Sequence, residues 1–315
     1  MTALPSRSKI KLATLRLRAT RPHLPDSVSP LENRLTILMT MRVTTTDRLA
    51  ILDMVLNHLE SAIPTSVSVR ALDASESQFR DPVASTFKER SLPVHLDHIA
   101  LPMSQSYRKL LAECGTKYAY FQFDDQILVN LSDTFLHAAC DLLDRYAGKV
   151  SVVSPSWPVA VDINHERRVV DVSAHQRRVD RRGRERFDFR TPRAQRPVRV
   201  DSIRGLRFGI FENFLYGFYF NNVVVPVDDY AERLDWYMNN LRTTSVHDIE
   251  VAAAARTLGP FWRHIAICLD NVCLLDLDFS HTSETRRAHM SKARAAFDAL
   301  HNGYQIVANN STVGK

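Results

Sequence analysis

Acids in this chain gather where apolar runs give way to polar loops. Asp73 follows Val67-Ser-Val-Arg-Ala-Leu72, Asp124-Asp125 follow Tyr118-Ala-Tyr-Phe-Gln-Phe123, and Asp276 and Asp278 lie near the end of the apolar stretch that begins at Ile265. An acid at a strand end is costly to desolvate unless it meets a cation or hydrogen-bond donors, so several together point to a metal ion or a ribose. Asp125 and Asp124 supply the hard carboxylate oxygens that Mn²⁺ or Mg²⁺ prefers, and such a cation neutralises a diphosphate leaving group. Plainer uses stand beside this one. Two acids after a strand also open a turn, Asp73 is a common turn residue, and His281 is a single histidine in a polar loop. Ser245 followed by Asp248 reads as the capped, acidic first turn of a helix.

The elements that must position these residues follow from periodicity. Leu35-Thr-Ile-Leu-Met-Thr40 is a short apolar run of the kind found in buried strands. Leu49, Leu52, Val55, Leu56 and Leu59 recur at helical spacing until Pro64. With the alternating run 67–72 they form a strand, helix and strand, hence a parallel βαβ unit. Further helices are expected over 104–115, 131–146, 231–241 and 246–258. Further strands are expected over 118–123 and 150–153, within 208–227, and as a pair within 265–277. The arginine-rich stretch 166–204 interrupts this rhythm as an insertion or hairpin-like excursion. The fold class is therefore α/β, with a mixed, mostly parallel sheet flanked by helices. Open sheets of this kind bind ligands beyond the carboxyl ends of their strands, which is where the acids fall.

The chain has 315 residues, 45% of them hydrophobic and 24% charged, as in a soluble, cored protein. Its four cysteines, Cys114, Cys140, Cys268 and Cys273, show no ligand or pairing pattern and fit a reducing compartment. No run of eighteen apolar residues exists, and the first thirty residues lack the apolar core and cleavage site of a secretory signal, so a cytoplasmic protein is expected. The net charge is +6, concentrated in a basic arm over residues 1–33 and in the 166–204 stretch. Such an excess suits an anionic partner: a phosphate-bearing substrate, a lipid surface or a nucleic acid.

In this order the motifs resemble those of GT-A fold glycosyltransferases, in particular the inverting enzymes of family 2. Tyr120-Phe-Gln-Phe-Asp-Asp-Gln-Ile-Leu-Val129 resembles the DxD element, with Asp125 at the metal-binding position, Asp124 in the middle and Phe123 where the first acid usually stands. Ser245-Val-His-Asp-Ile-Glu-Val-Ala-Ala-Ala-Ala-Arg-Thr-Leu-Gly259 resembles the element that carries the general base. By that resemblance Asp248 takes the acceptor proton, with His247 in place of the usual Glu. Leu35 to Arg42 resembles the opening strand and uridine-cradling loop, which implies roles for Thr40 and Arg42, although the usual Pro and Asn are missing. Asp73-Ala-Ser-Glu-Ser77 resembles the segment whose Asp reads the base. The family also implies a late histidine, His281, as a metal or phosphate ligand, and a basic residue, Arg108, near the diphosphate.

The resemblance spans residues 34–285 as a catalytic domain, with 286–315 as a C-terminal helix and tail. It implies a nucleotide-sugar donor, of UDP type, and a Mn²⁺ or Mg²⁺ cofactor. It also implies a glycan or glycolipid acceptor, polysaccharide or glycoconjugate synthesis, and a cytoplasmic location with peripheral contact at the inner membrane face through the basic arm. The alternative is a non-catalytic protein that binds nucleic acid or an anionic surface through its arginine-rich segments. Neither a helix-turn-helix, a zinc finger nor an RNP-like aromatic pattern is present to support nucleic-acid binding. A nucleotidyltransferase with the same two-acid logic would need a glycine-rich first loop, and the whole chain has nine glycines.

Overall fold

The computed structural model describes residues 29–128, 131–154, 197–212, 222–246, 248–249, 264–270 and 274–276, together with four short strands within 161–187 and residues 307–308. After a short 3-10 turn, Leu31–Asn33, come β1 (Leu35–Met41), α1 (Thr46–Ala62), β2 (Val69–Asp73), α2 (Ser77–Lys88), β3 (Val94–His98), α3 (Met103–Ala112), β4 (Tyr118–Phe123), β5 (Gln126–Leu128), α4 (Asp133–Arg145) and β6 (Val150–Ser154). β7 (Val161–Ile163) precedes the arginine-rich stretch, which contributes β8 (Val169–Asp171), β9 (Arg177–Val179) and β10 (Glu185–Phe187). Then follow β11 (Arg199–Ile203), β12 (Leu206–Glu212), β13 (Val224–Pro226), α5 (Val227–Leu241), β14 (His264–Cys268), β15 (Leu274–Asp276) and β16 (Val307–Ala308).

Nine strands form one sheet in the order β11-β12-β14-β6-β13-β4-β1-β2-β3. β12 and β13 run against the other seven, so the sheet is mixed and mostly parallel, and the α/β class expected from the sequence is the one observed. Alternation along β1 separates two faces. Leu38 joins Tyr107 of α3, Phe121 of β4 and Leu234 of α5 on one face. Met39 and Met41 join Ile51, Leu52 and Val55 of α1 and Val83 of α2 on the other.

α1 forms where the leucine spacing placed it. Thr45 caps it, its hydroxyl accepting from the Arg48 amide at 3.2 Å, and it ends at Ile63 before Pro64. The expected helices over 104–115, 131–146 and 231–241 correspond to α3, α4 and α5. The elements not expected from the sequence include α2, the edge strand β3 and the short strands β5, β7 and β16. Two expectations are corrected. The late strand pair within 265–277 is not a pair: β14 lies beside β6 in the main sheet, whereas β15 pairs with β5. The arginine-rich excursion does contain the antiparallel pair β9–β10, and its β8 pairs with β7 just before it, but its last residues include β11, an edge strand of the main sheet. Leu31 is buried in the core, so the packed body begins before residue 34. The expected helix 246–258 is seen only at its start, in Val246, Asp248 and Ile249, and the C-terminal helix lies outside the described residues. No helix among the described residues is long and apolar enough to cross a membrane.

Candidate functional site

The parallel strands β3, β2, β1 and β4 end side by side, and a line of hydrogen bonds runs along their carboxyl ends. Asp73, the last residue of β2, is buried and stands in register with His98 of β3; its Oδ2 lies 2.8 Å from His98 Nδ1. Its Oδ1 accepts from the Ser75 amide at 2.8 Å, an Asx turn that bends the chain toward α2. The Ser75 hydroxyl accepts from the Val43 amide at 2.7 Å. One residue earlier the Arg42 amide donates to Asp124 Oδ2 at 3.2 Å. The loop after β1 is thereby tied on one side to the loop after β2, and on the other to the acids after β4.

Asp124 and Asp125 form the turn from β4 into β5. Gln122, buried beneath it, donates from one amide nitrogen to the carbonyls of Phe123 and Gln126, both at 2.7 Å, and so holds the turn closed. Asn222 supports Gln126 from the neighbouring segment at 2.6 Å, and the Tyr120 hydroxyl donates to Gln122 and Asn222. This buried polar scaffold places two carboxylates at the sheet edge with little freedom. Arg48, in the first turn of α1, reaches both: Nη1 is 3.2 Å from Asp125 and Nη2 is 3.5 Å from Asp124. Burial pushes the Asp124 carboxyl up to about 7, and the Asp125 charge adds to this; Arg48 and the Arg42 amide act in the opposite direction without reversing it. A carboxylate left in this condition gains from any further positive charge.

The pair matches Mn²⁺ or Mg²⁺ in donor type. Mg²⁺ in particular is commonly held by one or two carboxylates while phosphates and water fill the remaining positions. Among the described residues no set of three His, Cys, Asp or Glu side chains gathers as a complete metal cage. The end of β15 bears on this. Asp276 stands opposite Gln126 in the antiparallel β5–β15 pair, so the chain leaves β15 at the end where the Asp124–Asp125 turn lies. His281 and Asp278 themselves lie outside the described residues.

Asp248 opens the helix that follows α5. Its amide donates to the Ser245 hydroxyl at 3.3 Å, the capping contact expected from the sequence, and its Oδ2 accepts from Thr243 at 3.1 Å, a contact the sequence reading did not include. The Ser104 hydroxyl, in the first turn of α3, donates to the Thr244 carbonyl at 2.6 Å. Because α3 starts beyond the carboxyl end of β3, this contact brings the Thr243–Asp248 segment to the same edge of the sheet as the acids. Asp248 is exposed there.

Two expected residues are placed differently from the rest. Thr40 faces α3, its hydroxyl 3.4 Å from the buried Tyr107, and so lies on the opposite face of β1 from the Asp73–His98 pair. Arg108 faces α5, where its Nε is 2.7 Å from Asp235 in an exposed ion pair. Arg42 joins the line through its backbone. His98, Arg48, Gln122 and Asn222 were not singled out in the sequence, and no local spacing marks them.

No family model matches the chain, and no curated protein does. Among solved structures it is similar to a mannosyltransferase from Pyrobaculum calidifontis in complex with GDP-Man and Mn²⁺ (14% identity, 88% of this chain and 68% of that one, TM-score 0.43). It is similar to S. aureus TarS 1–349 in complex with UDP-GlcNAc (12% identity, 82% and 60%, TM-score 0.43). It is also similar to a 4-diphosphocytidyl-2C-methyl-D-erythritol synthase from Anaerococcus prevotii (9% identity, 84% and 97%, TM-score 0.42).

Proposed function

We propose that this chain is a GT-A type glycosyltransferase that moves a sugar from a nucleotide-diphosphate donor to an acceptor hydroxyl, with inversion. The observation that carries the reading is the hydrogen-bonded line of Asp73, Ser75, the Arg42 and Val43 amides, and Asp124 along the carboxyl ends of four adjacent parallel strands. In an open α/β sheet that edge is where a ligand binds. The loop after β1 receives the nucleoside, UDP in the first instance, with the Asp73–His98 pair at its far side.

Asp125, backed by Asp124, would hold a divalent cation, which would supply the positive charge that a departing diphosphate needs. The protein's own part is to fix those oxygens: Gln122 closes the turn and the Arg42 amide aims Asp124. Asp248 takes the proton from the acceptor hydroxyl, on the side of the anomeric carbon away from the diphosphate. Its hydrogen bond from Thr243 leaves the other carboxylate oxygen for that proton. The acceptor is a glycan or glycolipid.

Thermal unfolding with Mn²⁺ and a panel of nucleoside diphosphates tests the donor site. A ligand that binds only the folded state, at a hundred times its dissociation constant, stabilises it by about 2.7 kcal/mol. Stabilisation by one nucleotide with Mn²⁺, lost in Asp125→Ala, is the expected result. No shift with any nucleotide would overturn the reading and turn attention to RNA, DNA and anionic vesicles.

A further inference from the structure

Arg48 forks across the acids of the β4–β5 turn from a helix that begins on the far side of the β1 loop. The arginine, Asp124 and Asp125 side chains are only 19%, 9% and 15% exposed, so this is not a solvated surface pair of the kind that contributes little. The two oxygens nearest the guanidinium, Oδ2 of each acid, are ones a cation would also use. Hydrogen bonding and metal coordination draw on the same lone pairs, so full occupancy by both is disfavoured. The Arg48 backbone is meanwhile fixed, because its amide is the group that Thr45 caps, so any exchange of partners falls to the long side chain.

We infer that Arg48 is a built-in counter-ion that exchanges with the divalent cation, and that once displaced it serves the diphosphate of the nucleotide. This rests on the reading of Asp124 and Asp125 as the cation-holding pair. The planar guanidinium fork that spans two carboxylates fits two phosphate oxygens equally well, and a phosphate seated on the same edge lies within the sweep of the side chain. Cation and nucleotide binding are then coupled. The nucleotide-free protein holds the cation weakly because Arg48 competes, and a diphosphate relieves the competition by giving the arginine a new partner.

Titration with Mn²⁺, followed by the EPR signal of the free ion, tests this on the full chain with and without UDP. In the absence of nucleotide, Arg48→Met binds Mn²⁺ about ten- to a hundredfold more tightly than the wild type, the range expected for losing a charge-assisted contact. Arg48→Lys, which keeps the charge but not the fork, falls between and carries the test if the methionine variant does not fold. UDP strengthens Mn²⁺ binding more in the wild type than in Arg48→Met. Equal Mn²⁺ affinity in the wild type and both Arg48 variants, with binding lost in Asp125→Asn, would overturn the exchange while leaving the cation site intact. Mn²⁺ binding unchanged by Asp125→Asn would overturn the cation site itself.

Discussion

Both edges of the main sheet carry arginines set among aspartates, and the two groups behave in opposite ways. At the amino edge, Arg34 precedes β1 and reaches Asp141 at 2.8 Å and Asp144 at 2.9 Å, both near the end of α4. Arg204, which reaches in from the turn beyond the carboxyl end of β11, adds a second bond to Asp141 at 2.7 Å, while Lys117 and the Tyr118 hydroxyl both donate to Asp144. Burial alone would raise the Asp144 carboxyl. The hydrogen bonds from Lys117 and Tyr118, and the charges of Lys117 and Arg34, outweigh it and hold the group below its usual range. At the carboxyl edge two adjacent acids share Arg48, burial dominates, and Asp124 is pushed up. Asp144 is held in its charged form by its neighbours, whereas at Asp124 burial and the Asp125 charge outweigh Arg48 and the Arg42 amide. Acid and arginine content alone does not separate the two clusters; the direction in which each carboxyl is shifted does.

The largest effect that would sharpen this contrast is on turnover. Asp248→Asn lowers kcat by about a hundred- to ten-thousandfold, the usual contribution of a positioned general base, while the nucleotide-induced rise in Tm persists. Steady-state kinetics beside thermal unfolding would separate the two, and unchanged kcat would remove Asp248 from the mechanism. The amino edge responds in stability instead. Asp141→Ala leaves Arg34 and Arg204 short of a partner in a mostly buried setting and costs about 3–5 kcal/mol in urea unfolding. Turnover at a temperature where the variant remains folded stays near that of the wild type.

pH divides the edges by sign. Asp124 has its folded value raised from 3.8 to about 7, so its contribution is fully present below the unfolded value and is lost as pH rises through 7. Asp144, depressed in the fold, contributes above its unfolded value and loses that contribution only as pH falls through the lower folded one. Between pH 5 and pH 8 the metal-free protein therefore loses stability through the coupled Asp124–Asp125 pair, in which Asp124 is the carboxyl pushed up. Urea unfolding at both values should show that loss in the wild type and not in Asp124→Asn; an equal loss in both would contradict the assignment.

What the sequence disclosed and what it concealed follow the same division between local and lateral contacts. The periodicity of Leu49 to Leu59 and the apolar runs at 35–40, 118–123 and 150–153 report local structure, and each stands as an element. β3 escaped notice because Val94-His-Leu-Asp-His98 is an edge strand, half-exposed and broken by polar residues, as edges usually are. α2 was hidden by Pro82, which sits past its first turn and reads as a helix stop. The β11–β12 hairpin turns on Arg204 and Gly205, both at positive φ, a turn that its sequence announces only through the glycine. In the site, the acids were legible because strand ends are legible. Arg48 and His98 were not, since Arg48 meets an acid 77 residues away and His98 meets one 25 residues away, across strand register that no local spacing records.

The smallest expected effect bears most directly on the comparison of the edges. Thr45 and Ser132 do the same local work: each hydroxyl accepts an amide of the first turn, of α1 and α4 respectively, at 3.2 Å. Replacing either by alanine costs about 1 kcal/mol, read as a small fall in Tm. Only Thr45 fixes the turn from which Arg48 reaches the acids. Thr45→Ala should therefore raise the Mn²⁺ affinity of the nucleotide-free protein by about two- to fivefold, less than the full cap contribution of about 1 kcal/mol would allow. Ser132→Ala, equal in stability cost, should leave that affinity unchanged. If both variants moved Mn²⁺ binding alike, the change would reflect general loosening of the fold rather than release of the arginine from the pair.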